Sequence, residues 1–284
     1  MIGAAKAEKA ESLRRAFFDE PPPTDTEAST GLSKADVIMR AEVDLPGRVE
    51  SVSLTVKKGE ILGIAGLVGS GRTSLLRALA GLEPQARGSL TIGSVTGKLP
   101  RSPRAALRRG VALIPEDRMT QGLALNMRAA ENMLLGDLGQ VASYGMISER
   151  KLLQRAVELA AEVGFAPGRV KETARWLSGG NQQKLLVGRW RHAPPSVLLA
   201  DEPTRGVDIG AKAEILSTLT DFAAEGRGVI LVSSELEEVL AVSHRVLVLR
   251  DGEVVTSIDR GPALTVHAVL DAVFRVDAGQ VAAD

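Results

Sequence analysis

The chain has 284 residues, no cysteine, and 35 basic and 35 acidic side chains, which give a formal net charge of zero. This length provides ample core for independent folding, and the lack of cysteine excludes disulfides and thiolate metal sites. Because a neutral chain is poorly suited to neutralising the phosphates of DNA or RNA, we expect no nucleic-acid partner.

Residues 1–35 have the composition of a linker or tail. Charged residues interrupt any apolar region near the N-terminus, which argues against a signal peptide, and Pro21–Pro23 end any helix that precedes them. Charge-free runs fall short of the ~18 to 20 apolar residues that cross a bilayer. We predict a globular domain over residues 36–274 and a C-terminal tail over 275–284.

Short apolar runs interleave with helix signals throughout this domain. Val49–Val56 alternates apolar and polar residues, as a strand does, and Ile61–Ala65 has the continuous apolar pattern of a buried parallel strand. Asp251-Gly252 predicts a hairpin into a strand at Val254–Ile258. Residues from about 120 to 192 are mostly helical in pattern, so we predict an α/β sheet with a helical insertion. The other predicted core strands are Val111–Ile114, Val197–Ala200, Val229–Val232 and Val246–Leu249.

A glycine-rich loop lies between the strand at Ile61–Ala65 and an apolar helix predicted at Ser74–Ala80. Strand, loop and helix in this order predict a phosphate-binding loop, because glycines let backbone N–H groups converge on phosphate and Thr73 can offer its hydroxyl to Mg²⁺. Arg72 stands where such loops carry lysine, and its planar fork reaches phosphate from a different angle. The alternative is a plain glycine turn. The predicted nucleotide-binding residues are Gly66, Gly69, Ser70, Gly71, Arg72, Thr73 and Ser74.

Two carboxylates, Asp201 and Glu202, follow the strand at Val197–Ala200, which is apolar at every position. We predict that Asp201 holds Mg²⁺, mostly through water, with Thr73 as its neighbour in the metal site. Glu202 is predicted to polarise the attacking water as a general base. The alternative is an acidic pair that caps the next helix.

A Ser-Gly-Gly turn opens another predicted helix upstream of these carboxylates. It belongs to the run Leu177-Ser178-Gly179-Gly180-Asn181-Gln182-Gln183-Lys184. Backbone N–H groups and the helix dipole suit this turn to phosphate, whereas the alternative is a simple N-cap by Ser178. Because the turn lies in the helical insertion, we expect it to reach the phosphate of a second, head-to-tail copy or relative.

Glycine-rich loop, Ser-Gly-Gly turn and paired carboxylates, in this order, resemble the ATP-binding-cassette (ABC) ATPases over residues from about 36 to 274. The resemblance implies a P-loop NTPase fold with a mainly parallel core sheet, an antiparallel β subdomain and a helical subdomain that carries the signature motif. The details resemble more narrowly the second cassette of the double-length ATPases that power bacterial monosaccharide importers of the ribose, galactose and xylose type. These details are Gly71–Thr73, Pro115–Arg118, Ser178–Lys184, Arg205–Asp208 and Ser233–Glu235.

The resemblance also implies cofactors, partners and a location. ATP and Mg²⁺ would be bound, and ATP hydrolysis would be coupled to transport at the cytoplasmic face of the cell membrane. The partners would be a second cassette, transmembrane permease subunits and, indirectly, a periplasmic sugar-binding protein; residues 1–35 would correspond to the linker between cassettes. Contacts to the second cassette fall on Asp208, in the D-loop, and on the signature residues Leu177, Ser178, Gly179, Gly180, Asn181 and Gln182.

Several positions depart from the general ABC pattern. The catalytic switch histidine falls on Ser234 and the Q-loop glutamine on Glu116, which join Glu202 as the predicted catalytic positions. No Phe, Trp or Tyr occurs from residue 19 to 143, so the aromatic side chain that stacks on adenine is missing. Together with Arg72, these departures predict a degenerate nucleotide pocket beside an intact signature.

The sequence leaves two further functions open. One is a catalytically silent cassette that completes and regulates its partner's site, and the other is a soluble ABC protein that acts on ribosomes or DNA. Trp176 and Trp190 flank the signature helix and are predicted to anchor the core.

Overall fold

The computed structural model describes residues 36–143 and 145–274. The predicted tails, 1–35 and 275–284, lie outside the described residues. Within these limits no helix is long and apolar enough to span a membrane.

A six-stranded sheet forms the centre of the fold, with strand order β12-β11-β3-β10-β9-β6. Its neighbours pair in parallel except for the terminal hairpin of β11 and β12. The predicted core strands are confirmed within one residue at either end. Their bounds are β3 Ile61–Ala65, β6 Val111–Ile114, β9 Val197–Asp201, β10 Gly228–Val232, β11 Arg245–Arg250 and β12 Glu253–Asp259.

A four-stranded antiparallel sheet packs over one face of this core, with strand order β2-β1-β4-β5. Only β2 matches a strand that the sequence pattern located. In β4 a single residue, Leu90, is fully buried, and the four residues of β5 are all at least partly exposed, so these strands carry a weak apolar pattern. The bounds are β1 Val37–Leu45, β2 Val49–Lys57, β4 Arg87–Ile92 and β5 Val95–Lys98.

Helices lie on both faces of the core sheet, as the alternation of strands and helices predicts. A small hairpin of β7 (Ala142–Ser143) and β8 (Met146–Ile147) interrupts the mainly helical segment that follows β6. The helices are α1 Arg72–Leu79, α2 Pro103–Arg108, α3 Ala129–Leu134, α4 Glu149–Glu162, α5 Gly179–His192, α6 Ile209–Ala224, α7 Leu236–Val242 and α8 Val266–Phe274.

The buried strand β3 shows how the core holds the glycine-rich loop. Ile61 packs into the cluster formed with α5 and α6, while Leu62 and Ile64 pack into the cluster formed with α1 and the antiparallel sheet. Successive side chains of a strand point to opposite faces, so a continuous apolar run is what a strand covered on both faces requires. The loop therefore begins from a strand that is fixed on both sides.

Candidate functional site

The glycine-rich loop connects β3 to α1 and lines a cavity of about 680 Å³. Gly71 has a φ of 97°, and a Cβ atom at this position would collide with the backbone carbonyl of Arg48. Only glycine accepts both constraints without strain. The cavity is lined by Gly47, Arg48, Leu67, Val68, Gly69, Ser70, Gly71, Arg72, Thr73, Ser74, Arg77, Glu116, Glu202, Arg205 and Ser234.

Arg72 is the first residue of α1 and lies half-buried in the cavity wall. Its guanidinium donates to the backbone carbonyl of Ser233, at 3.0 Å, in the loop after β10. Burial lowers the pKa of Arg72, while the charges of Glu202 and Asp201 act in the opposite direction. The guanidinium thus connects the glycine-rich loop to the segment that carries Ser234.

Asp201 and Glu202 leave β9 in different environments. Asp201 is buried, accepts a hydrogen bond of 3.2 Å from the Thr73 hydroxyl, and has its pKa raised by burial to about 6. Glu202 has a φ of 48°, a left-handed conformation that is uncommon outside glycine, and it lines the cavity. Neither residue caps α6, whose N-cap is Asp208, so the helix-capping alternative is wrong.

The three predicted catalytic positions are brought to the same cavity. Ser234 donates its hydroxyl hydrogen to Glu202 Oε2 at 3.0 Å. Glu116 forms an ion pair with Arg205, a residue to which sequence reasoning gave no role of its own. Five segments far apart in the chain therefore contribute to the site, namely the β1–β2 turn, the glycine-rich loop and the ends of β6, β9 and β10.

Arg118 links this cavity to the Ser-Gly-Gly turn. Its guanidinium donates to the Arg205 carbonyl at 2.7 Å and to Gln182 Oε1 at 3.3 Å. Buried Gln182 in turn donates to the carbonyl of Ala174 at 3.1 Å, ahead of the turn. The sequence did not reveal this link, because the spacing of Arg118, Gln182 and Arg205 along the chain does not encode their proximity.

The Ser-Gly-Gly turn lies outside the cavity lining and faces the surface. Ser178 is exposed at the N-terminus of α5, Leu177 is buried beside it, and Gly180 is buried beneath it. Ser178 occupies the N-cap position of α5, as the alternative supposed, but its side chain makes no capping hydrogen bond and instead accepts one from Asn181 Nδ2 at 3.0 Å. The turn thus presents the Ser178 hydroxyl at the surface, at the N-terminus of a 14-residue helix.

Three residues around the signature helix have environments that bear on the sequence predictions. Trp176 is 76% exposed, so its prediction as a core anchor is wrong: the short 3₁₀ turn at Ala174–Trp176 buries Ala174 instead, and the Trp176 ring lies beside the Arg175 guanidinium. Trp190 is partly buried and packs against the core, as predicted. Asp208 is exposed and accepts from the Ala211 N–H at 3.0 Å, which starts α6.

Known proteins are similar to this chain in sequence. A family model described as ABC transporter matches residues 49–205. The ribose import ATP-binding protein RbsA 1 of Rubrobacter xylanophilus is 43% identical over 209 residues, which cover 73% of this chain and 42% of the relative. The ribose import ATP-binding protein RbsA of Rhodococcus jostii is 38% identical over 244 residues, which cover 85% of this chain and 47% of the relative.

Solved structures agree on the fold. A structure of the ABC transporter cassette MJ1267 superposes with a TM-score of 0.69 at 22% identity, covering 83% of this chain and 98% of that one. The dimeric bacterial cassette MJ0796 superposes with a TM-score of 0.66 at 23% identity, covering 78% of this chain and 99% of that one. This chain spans less than half the length of the two curated relatives. With its matched motifs and cassette fold, the chain belongs to the ABC transporter family.

Proposed function

We propose that this chain binds and hydrolyses ATP to energise import of a monosaccharide, and that its signature turn completes the ATP site of a second cassette. One observation carries the proposal: the nucleotide cavity and the exposed turn at Ser178 are separate surfaces of the same chain. A nucleotide in the cavity and a phosphate at the turn therefore require two cassettes that face each other.

The cavity residues have distinct tasks in this proposal. The N–H groups of the glycine-rich loop and the Arg72 guanidinium hold the phosphates. Thr73 and Asp201 present a hydroxyl and a carboxylate 3.2 Å apart, both hard oxygen ligands of the kind that Mg²⁺ takes, and the ion would neutralise phosphate charge. Glu202 accepts a proton from the attacking water, and Ser234 fixes the position of that carboxylate.

The second cassette faces the surface around Ser178. Exposed apolar side chains occur on the glycine-rich loop at Val68 (94% exposed), beside the D-loop at Ile209 (58%), and next to the signature at Trp176. Three such side chains at the segments that meet in a head-to-tail pair favour burial by a partner. The cassette MJ0796, which has the same fold, forms dimers.

The chain's own cavity is proposed to turn over slowly. A serine hydroxyl at position 234 carries no charge that could balance the γ-phosphate, and the Glu116 carboxylate repels phosphate where a neutral amide would not. The Glu116–Arg205 ion pair neutralises part of this charge. The defect therefore concerns the chemical step more than the capacity to hold ATP.

Sugar import is proposed from the relatives, which are ribose import ATP-binding proteins. The membrane channel would be supplied by permease subunits, and sugar would be delivered by a periplasmic binding protein. The cassette would then lie on the cytoplasmic face of the membrane, bound to the permease.

The proposal is tested by replacing the chain with its Ser178→Arg variant in cells, which blocks the proposed working site, and measuring uptake of labelled ribose, galactose and xylose. Uptake of at least one sugar should fall while uptake of an unrelated amino acid stays constant. An exposed Ser53→Arg variant on β2 is the matched control. Unchanged uptake of all three sugars would contradict monosaccharide import.

A second candidate is a catalytically silent cassette that regulates its partner. The Glu116–Arg205 pair and the serine at 234 favour it, because both withhold groups that the chemistry uses. The purified chain would then bind ATP with no phosphate release above that of Glu202→Gln. Release at the rate of a complete cassette, lost in Glu202→Gln, would exclude this alternative.

A further inference from the structure

Four arginines line the nucleotide cavity, and they differ in what holds them. Arg72 donates to the Ser233 carbonyl, Arg77 pairs with Glu83 at 2.7 Å, and Arg205 pairs with Glu116. The exposed Arg48 side chain has no hydrogen bond or ion pair with any residue of the described ranges. The Arg48 guanidinium can therefore contact a ligand without breaking a hydrogen bond or ion pair within the described residues.

The backbone of Arg48 is held rigidly against the phosphate-binding loop. It lies in the β1–β2 turn, where its N–H donates to the Leu45 carbonyl at 3.0 Å. Its own carbonyl lies against Gly71, so closely that a Cβ atom there would clash, and it also approaches Gly252. The side chain therefore extends from a fixed point at the edge of the loop.

Arg48 borders the part of the cavity that the antiparallel sheet forms. Glu116, Glu202 and Ser234, by contrast, come from the C-terminal ends of core strands β6, β9 and β10. A triphosphate whose terminal phosphate points at Glu202 leaves its base toward the other boundary of the cavity. No aromatic residue lines this cavity among the described residues.

We propose that the Arg48 guanidinium stacks on the base of the nucleotide and takes the place of the missing aromatic side chain. A guanidinium is planar, weakly hydrated and stacks on π-faces, so it provides both area and a cation–π contribution. This inference rests on the proposed ATP binding, and it assigns a base contact to a chain whose sequence shows none. It makes the ligand a nucleoside triphosphate held at both ends.

The test compares two ligands and three substitutions. Dissociation constants for Mg²⁺–ATP and for Mg²⁺–inorganic triphosphate are measured by calorimetry with the full chain and with Arg48→Ala, Arg48→Lys and Arg48→Tyr. Arg104→Ala, an exposed arginine on α2 outside the cavity, is the control. We expect Arg48→Ala to weaken ATP about 10-fold, the scale of one lost base-stacking contact, and to change triphosphate less than about twofold.

The two conservative substitutions decide between a base contact and a phosphate contact. Arg48→Tyr should restore ATP affinity, because it keeps a planar partner, and Arg48→Lys should not, because it keeps only the charge. Restoration by lysine, or equal losses for ATP and triphosphate, would overturn the inference in favour of a phosphate contact. If the unsubstituted chain bound neither ligand, the proposed ATP binding itself would fail.

Discussion

The nucleotide cavity and the Ser-Gly-Gly turn are opposite in how their polar groups are used. In the cavity, Arg205 pairs with Glu116, Ser234 donates to Glu202, and Arg72 binds the Ser233 carbonyl. At the turn, the exposed Ser178 hydroxyl makes no capping bond and accepts a hydrogen bond from the Asn181 side chain. These cavity side chains thus already have partners within the chain, whereas the Ser178 hydroxyl is exposed to an external ligand.

Magnitudes indicate which of the cavity's departures matters. Arg205 is 62% exposed and Glu116 is 37% exposed, and an ion pair of this kind contributes only about 0–1 kcal/mol. Breaking it would weaken ATP binding by a few-fold at most. A missing group in proton transfer or charge stabilisation changes rates by about 10²- to 10⁴-fold. The difference between the two regions should therefore appear in turnover before it appears in affinity.

Restoring the usual ABC residues at three cavity positions should make the cavity catalytically active. We expect this substitution to give the largest effect. The triple variant Arg72→Lys, Glu116→Gln, Ser234→His should raise steady-state phosphate release by the chain alone about 100-fold, because it returns a charged partner to Glu202 and removes a repelling carboxylate. Adding Glu202→Gln should abolish the gain. An unchanged rate would mean that these positions do not limit the cavity.

Disturbing the backbone of the glycine-rich loop should give the second largest effect, a loss of ATP affinity. Gly71→Ala should weaken ATP binding about 10-fold more than Gly69→Ala. Both glycines have positive φ, at 97° and 91°, and such a conformation costs about 1–2 kcal/mol for alanine. Only at Gly71 would the new methyl group also meet the Arg48 carbonyl. Calorimetric titration measures both, and equal losses would contradict the role of this close contact.

Removing the exposed Trp176 side chain, beside the Ser-Gly-Gly turn, should give a smaller effect, on association with a second cassette. Trp176→Ala should weaken ATP-dependent association with a second cassette about fivefold, as loss of a peripheral aromatic contact does. Since Trp176 is 76% exposed, the melting temperature of the separate chain should not change. Sedimentation of the chain with and without ATP measures the association, and Trp176→Phe is the matched control. Unchanged association would remove Trp176 from the interface.

The sequence predicted the family, the fold class and the core strands, because each depends on local pattern. Strand β3 is apolar throughout, and β9 is apolar as far as Ala200, since helices or a second sheet cover both faces. Strands β4 and β5 lack such a pattern, and no local signal located them.

The site was predictable only in part. Local motifs nominated Thr73 and Glu202, and the resemblance to ABC ATPases nominated Ser234. The fold brings all three to one cavity, and their roles stay predictions. It did not indicate that Arg48 and Arg205 would share the cavity, because their positions depend on how separate strands and turns pack.

The most direct test of the account mixes this chain with a cassette whose own phosphate loop is complete and measures ATP turnover. Ser178→Arg should reduce turnover of the mixed pair at least about 100-fold, because a bulky cation would occupy the turn that is proposed to receive the partner's phosphate. Arg72→Ala should leave turnover within about twofold, since it changes only the weaker cavity. The reverse ranking, with Arg72→Ala abolishing turnover and Ser178→Arg sparing it, would contradict the account.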